Sequence, residues 1–173
     1  MSAIHLIPPT PGIADELLRF EAVNREFFEA RINSRPAAYY SPEGVRAAIA
    51  LAEQEAADGK GYQFLVRTEA GELVGRVNLS SVKSKHFHSA DLGYRMAEAA
   101  CGRGFASEAV RQVLVLAFGE LKLRRIEAVV RVGNEGSSRV LLRNGFRQFG
   151  VSLRSFELGG VWHDRLLYER HAD

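Results

Sequence analysis

The chain has 173 residues, of which 46% are hydrophobic and 25% are charged, and its formal net charge is +2 at pH 7. This size and composition fit one globular domain over residues 1–173, and no apolar run reaches the roughly 18 residues of a membrane span. A charge so close to zero, with basic residues only in short runs, argues against a nucleic-acid partner. The single cysteine, Cys101, and the lack of a basic and apolar leader predict a cytoplasmic protein with no disulfide.

The N-terminal third is predicted to contain one strand and two helices. The strand covers residues 4–7, the first helix covers residues 13–31, and the second helix begins at Ser41–Pro42 and ends near Gly59. Ser41 can cap the second helix, and Pro42 suits its first position because no N–H is needed there. The first helix is indicated by apolar residues at helical spacing, namely Leu17, Leu18, Val23, Phe27 and Phe28.

From residue 62 onward the hydrophobic period changes to that of strands. Six strands are predicted over residues 62–67, 73–82, 88–96, 125–132, 146–157 and 161–168, with helices over residues 107–121 and 137–143. The order β-α-α-β-β-β-α-β-α-β-β predicts an α/β domain of the α+β type, with a mixed sheet of about seven strands flanked by about four helices. Such a fold names no function by itself.

The most informative stretch is a glycine-rich loop ahead of the helix at residue 107. Gly102 and Gly104 allow close approach of the backbone to a bulky anion, and the helix start adds free N–H groups. Arg103 supplies a charge that can pair with a phosphate. A Walker A loop is excluded because no Gly-Lys-Ser/Thr occurs, and the late position in the chain disfavours a dinucleotide-binding fingerprint. A glycine-rich helix start with no ligand remains an alternative.

The neighbouring residues carry a resemblance to a known superfamily. Asp91–Leu92–Gly93–Tyr94 followed by residues 102–110 (GRGFASEAV) resembles the central acetyl-CoA motif of GNAT N-acetyltransferases, Q/R-x-x-G-x-G/A, read here as Cys101-x-x-Gly104-x-Ala106. Residues 134–146 resemble the second signature, N-x-x-S…G-F. Within the superfamily, residues 87–94, 142–146 and 162–164 are similar to the RimJ/RimL ribosomal-protein-alanine N-acetyltransferases. The resemblance spans about residues 60–168.

The resemblance implies a GNAT fold in which the fourth and fifth strands splay apart to admit the pantetheine arm of acetyl-CoA. The cofactor contacts that it implies are Tyr94, Arg95, Met96, Cys101, Gly102, Arg103, Gly104, Phe105, Ala106, Asn134 and Ser137. Cys101 replaces the usual Gln or Arg, which leaves the backbone donors of the loop intact. No metal is expected, because the reaction needs none and the histidines show no metal-ligand spacing.

Three residues are candidates for proton transfer. Leu141 stands where many GNAT enzymes have a tyrosine that protonates the leaving thiolate, so Ser137, one turn earlier, becomes the candidate acid; a capping role explains this serine equally well. Asp91 and His88 are the candidate bases for the amine. On a regular strand they would face opposite sides, and the GNAT pattern favours Asp91, although an exposed strand carboxylate also explains it.

The predicted activity is acetyl transfer from acetyl-CoA to a primary amine by direct attack, with a protein N-terminus of the ribosomal type as the favoured acceptor. A small-molecule amine, such as an antibiotic or polyamine, and a non-catalytic acyl-CoA-binding module are the alternatives. A homodimer stays open. Aromatic and basic residues that could wall the acceptor cleft, but that core packing and solvated surface also explain, are Phe27, Phe28, Tyr39, Tyr40, Arg25, Arg31 and Arg35.

Overall fold

A computed structural model of the chain describes residues 3–173. Its framework is a seven-stranded sheet in the order β1-β2-β3-β4-β5-β7-β6. The strands are β1 (Ile4–Ile7), β2 (Tyr62–Thr68), β3 (Leu73–Lys83), β4 (Ser89–Met96), β5 (Arg125–Arg131), β6 (Arg147–Leu158) and β7 (Val161–His171). Neighbouring strands pair antiparallel, except that β4 and β5 are parallel. The predicted mixed sheet of seven strands is therefore confirmed.

Helices flank this sheet. They are α1 (Ala14–Val23), α2 (Arg25–Glu29), α3 (Pro42–Ala57), α4 (Phe105–Val115) and α5 (Glu135–Arg143), and α4 continues as a π-helix over Leu116–Glu120. The last three begin and end close to the predicted positions, and Ser41 caps α3 by accepting the Gly44 N–H at 3.0 Å. Within residues 3–173, no helix is both long enough and apolar enough to cross a membrane.

The single helix predicted over residues 13–31 is wrong, because the chain breaks at Asn24 into α1 and α2. The Asn24 side chain donates to the Phe20 carbonyl at 2.9 Å and accepts the Glu98 N–H at 3.1 Å. Asparagine side chains compete with the helical backbone in this way. Val23, one of the apolar residues at helical spacing, is 79% exposed at the end of α1. Through its hydrogen bond to Glu98, Asn24 links the junction of α1 and α2 to the segment that follows β4.

The sheet is covered on both faces. Leu65 and Val66 are adjacent on β2 and both fully buried, but they pack in different clusters. Since successive strand residues point to opposite faces, the two clusters lie on opposite sides of the sheet. One contains Val110 of α4, and the other contains Leu17 of α1 and Ile49 of α3. The α1–α3 side and the α4 side of the sheet are therefore distinct environments.

The parallel pair β4 and β5 separates part of the way along its length. The two strands pair only over Ser89–Asp91 with Arg125–Glu127. Farther on, β4 still pairs with β3 as far as Met96, and β5 still pairs with β7 as far as Arg131. Residues 92–96 and 128–131 therefore diverge, as the resemblance implied, and leave backbone N–H and C=O groups that a ligand can satisfy.

Candidate active site

The separation of β4 and β5 opens into a cleft of about 910 Å³. Its walls come from the diverging strand halves, the loop before α4, the first turn and inner face of α5, and the chain from α2 to residue 35. Except for Arg103, every residue predicted to contact the cofactor lines this cleft. The two signature segments, which are far apart in the chain, therefore meet at one site.

The loop between β4 and α4 has the backbone conformation that its glycines indicated. Gly102 has φ +75° and Gly104 has φ +84°, both in the left-handed region that favours glycine. A Cβ at Gly102 would meet no atom within 4 Å, so conformation rather than crowding requires glycine there. Gly104 is the residue before the first turn of α4, whose N–H groups have no partner in the helix. Together these features suit a diphosphate. The Arg103 guanidinium lies over the Phe105 ring, 4.8 Å from its centroid.

The start of α5 forms the facing wall. Asn134 caps this helix by accepting the Ser137 N–H at 3.3 Å, so the capping explanation of the Ser137 hydroxyl is wrong. The Tyr94 hydroxyl donates to the Ser137 carbonyl at 3.1 Å and thereby joins β4 to α5. Burial raises the pKa of Tyr94 from its ordinary value of 10.0 to about 12, and at either value the hydroxyl is protonated at neutral pH and can donate. Leu141, one turn beyond Ser137, is fully buried.

Substitutions at the start of α5 test the two roles that the resemblance implied. We expect Asn134→Ala to raise KM for acetyl-CoA, because it removes a cleft-lining amide and the α5 cap. Ser137→Ala is expected to lower kcat mainly. Ser138→Ala is the matched control, since the Ser138 hydroxyl accepts from Tyr168 at 3.0 Å and lies outside the cleft lining. An unchanged kcat in Ser137→Ala would remove the acid role.

The candidate bases lie outside the set of residues that line the cleft. His88 is exposed, has φ +45° and directly precedes β4, which begins within one residue of its predicted start. The expected arrangement of both side chains on opposite faces of one strand therefore does not apply. Asp91 is exposed. In the strand register it lies opposite Glu127, at the last position where the backbones of β4 and β5 pair. Its role as the base stays a prediction and would require a bridging water.

We expect Asp91→Asn to lower kcat about 100-fold, the lower end of what a positioned general base contributes. His88→Gln is expected to change kcat little, since His88 is exposed and outside the strand. Steady-state kinetics with a saturating acceptor, after a check of acetyl-CoA affinity, separates the two. A loss confined to His88→Gln would reverse the assignment, and no loss in either variant would indicate deprotonation by solvent.

A buried ion cluster beside the cleft was not predicted. Glu21 of α1 is fully buried, and its carboxylate accepts from Arg76 at 2.6 Å and from Arg35 and Arg95 at 3.3 Å. Burial alone would raise the pKa of Glu21, but the three guanidinium groups hold it below its ordinary value. All three arginines line the cleft. Three positive charges around one negative charge leave this wall with an excess of positive charge.

The segment from α2 to residue 35 forms part of the cleft. A role in the cleft wall was one of the two explanations that the sequence left open for its aromatic and basic residues. Phe27, Phe28, Arg31 and Arg35 line the cleft, and Phe28 is also a core residue at 4% exposure. Three of the proposed wall residues lie elsewhere: Arg25, Tyr39 and Tyr40. Among residues 3–173, no cluster of His, Cys, Asp or Glu side chains could hold a metal ion.

A second groove of about 960 Å³ runs between α4 and α5. It shares Gly104, Ser107 and Arg143 with the main cleft, so the two are continuous at the loop. Asn144 fixes the spacing of the two helices by donating to the Ser107 carbonyl at 3.1 Å. The groove therefore extends the cleft beyond the glycine-rich loop, along the outside of α4.

The chain belongs to the GNAT acetyltransferase family, because residues 4–147 match the model described as "Acetyltransferase (GNAT) domain". It is 38% identical over 162 residues to the "Probable N-acetyltransferase YjcK" of Bacillus subtilis, which covers 93% of this chain and 90% of that protein. It is also 26% identical over 152 residues to the [Ribosomal protein uS5]-alanine N-acetyltransferase of Escherichia coli, covering 87% of this chain and 78% of that protein.

Among solved structures, Mycobacterium smegmatis RimJ in complex with CoA-disulfide superposes with a TM-score of 0.90 at 28% sequence identity. The superposition covers 99% of this chain and 83% of that one. The fold is therefore the GNAT fold, and the chain is an N-acetyltransferase with RimJ/RimL-like relatives.

Proposed function

We propose that this enzyme transfers the acetyl group of acetyl-CoA to the N-terminal amine of a protein. The observation that carries the proposal is the single cleft in which the glycine-rich loop, the separated strands and the start of α5 meet. Support for the acceptor comes from the ribosomal-protein-alanine acetyltransferase among the relatives, which matches most of this chain. A homodimer and a cytoplasmic location remain predictions.

The residues present fit acetyl-CoA. On the side that faces β5, the backbone of residues 92–96 has no strand partner and can bond the amides of the pantetheine arm as an added strand does. The loop at Gly102 and Gly104 and the N-terminus of α4 suit the pyrophosphate. Arg139 and Arg143, which line the cleft from α5, supply cations for the phosphate end. Acetyl-CoA itself supplies the activated thioester.

The two proton transfers of the reaction require only two side chains in this proposal. The acceptor must lose a proton, for which Asp91 is the proposed base, and the departing thiolate must gain one, for which Ser137 is the proposed acid. Ser137 is held in the cleft wall by the Tyr94 hydrogen bond to its carbonyl. The only cysteine, Cys101, lies in the pyrophosphate loop, so we propose direct attack of the amine rather than an acetylated enzyme.

An acceptor screen that records release of CoA tests this proposal. Peptides with a free N-terminus are expected to turn over, whereas the same peptides with a blocked N-terminus and no lysine are not. Turnover with polyamines or aminoglycosides alone would contradict the proposed acceptor. Acetyl-CoA binding without turnover of any amine would instead support a non-catalytic acyl-CoA-binding module.

A further inference from the structure

Two arginines face each other at the open end of the cleft. Arg131 of β5 and Arg165 of β7 are direct partners in the antiparallel register, and both line the cleft. Side chains directly opposite on neighbouring strands lie on the same face, about 5 Å apart at Cβ, where like charges destabilise the sheet. An anion bound between the two guanidinium groups would offset that repulsion.

Neither arginine is neutralised by the protein within residues 3–173. Arg131 forms no ion pair there, and its Nε is buried with no hydrogen-bond partner. Arg165 also lacks an acidic partner in that part of the chain, and its Nε donates to the neutral Ser155 hydroxyl at 3.0 Å. Buried donors in proteins are nearly always paired. The Arg131 Nε is therefore a buried donor that remains available to a bound anion.

The position of this pair separates it from the pyrophosphate loop. Val130 packs in the cluster under α4, so its neighbour Arg131 points to the other face of the sheet. That face carries α1 and α3, and there Arg35, Arg76 and Arg95 surround Glu21. The loop of Gly102–Gly104 leads into α4 on the opposite face. The arginine pair therefore belongs to the acceptor side of the cleft rather than to the phosphates of acetyl-CoA.

The charge of the acceptor side restricts what can bind there. Its lining arginines are Arg31, Arg35, Arg76, Arg95, Arg131 and Arg165. Among the described lining residues, Glu98 carries the only carboxylate, and Glu21 beneath the wall offsets one further charge. A cleft with this balance repels a polyamine and attracts an anion.

We propose that the acceptor carries an anionic group near its reactive amine and that Arg131 and Arg165 bind this group. Because the planar guanidinium group of arginine binds two oxygens of one carboxylate or phosphate in bidentate fashion, the anionic group is a carboxylate or a phosphate. The inference rests on the proposed function, so the acceptor is a protein N-terminus with an acidic residue among its first few positions. Arg131 and Arg165 would then determine specificity without touching the transferred acetyl group.

Peptides that differ at one position test the inference on the unmodified enzyme. The set has a common free N-terminus followed by Asp, Glu, Asn, Gln, phosphoserine or Lys, and free aspartate serves as a small anionic amine. We expect kcat/KM to be about 10- to 100-fold higher for the anionic peptides than for the amide isosteres, and lowest for Lys. The preference should shrink as salt is added. The Asp and phosphoserine arms show which anion is preferred.

Variants assign the preference to the two arginines. Arg131→Gln and Arg165→Gln are each expected to raise KM for the acidic peptide about 10- to 100-fold and to change KM for the amide peptide much less, so that the preference for the acidic peptide is lost. Arg165→Lys keeps the charge but loses the bidentate geometry, so its KM for the acidic peptide should lie between that of the wild type and that of Arg165→Gln. Arg124→Gln is the matched control, since Arg124 is exposed, precedes β5 and lies outside the cleft lining. Thermal melting identifies any variant that fails to fold. In that case the peptide series on the unmodified enzyme still tests whether an anionic acceptor is preferred.

The outcomes separate this inference from the proposed function. Equal turnover of acidic and amide peptides would overturn the inference and leave the protein acceptor standing. Turnover of aspartate with no turnover of any peptide would overturn the protein acceptor and leave the anionic one standing. Faster turnover of the Lys peptide or of spermidine would contradict the anionic acceptor directly.

Discussion

Replacing Gly104 by valine is expected to weaken acetyl-CoA binding about 100-fold, equivalent to losing one or two hydrogen bonds to a charged group. Gly104 has φ +84° directly before the first turn of α4. A β-branched residue is strained at this φ, so the loop must change conformation. The donors of the loop and the helix start would then no longer converge on the pyrophosphate. Titration calorimetry measures the affinity.

A second glycine provides the matched control. Gly71, in the turn between β2 and β3, has φ +83°, and a Cβ there would meet no atom within 4 Å. Gly71→Val therefore introduces the same backbone strain away from the cleft, and we expect it to lower the melting temperature without changing acetyl-CoA affinity. Wild-type affinity in Gly104→Val, or an equal loss in Gly71→Val, would contradict the assignment of the loop.

Glu21→Gln is expected to destabilise the fold by about 3–5 kcal/mol, the usual cost of removing one partner of a buried ion cluster. The substitution keeps the shape of the side chain but leaves Arg35, Arg76 and Arg95 close together without a counter-charge. Glu29→Gln is the control, because Glu29 forms a surface i,i+4 pair with Arg25, for which the expected loss is below about 1 kcal/mol. Denaturant unfolding measures both, and similar losses would contradict the structural role of Glu21.

The pH dependence of stability follows from the same cluster. The pKa of Glu21 is lowered in the folded protein from an ordinary value of 4.5. The stabilisation is therefore fully present above about pH 5 and is lost as the pH falls through the lowered pKa. Glu21→Gln should lose this part of the acid sensitivity, and unfolding free energies between about pH 3 and pH 7 show whether it does.

Local sequence signals predicted most elements of this fold. Hydrophobic period and the Ser41–Pro42 start located the strands and α3, because these features depend on residues close in the chain. The break at Asn24 was missed, since it depends on a hydrogen bond between Asn24 and Glu98, two residues far apart in the sequence. The left-handed φ of His88, directly before β4, was also not predicted, because no apolar period reveals it.

The residues of the candidate site also fall into those that local motifs predicted and those that depend on contacts between distant parts of the chain. The glycine-rich loop and Asn134 were singled out from contiguous motifs, and both line the cleft. The Glu21 cluster and the Arg131–Arg165 pair could not be predicted, because they bring together residues from α1, β3, β4, β5 and β7. Only the strand register places Arg76 opposite Arg95 and Arg131 opposite Arg165. Long-range pairing of this kind leaves no trace in a single sequence.

We propose that an N-terminal amine is acetylated in the cleft between β4 and β5. The most direct test of this proposal uses a peptide with a free N-terminus, an acidic second residue and one internal lysine, incubated with the enzyme and acetyl-CoA. Peptide fragmentation locates the acetyl group while released CoA is counted. We predict one CoA per acetylated peptide, with the acetyl group on the α-amine and none on the lysine. Acetylation of the lysine alone, or CoA release without an acetylated peptide, would contradict the claim.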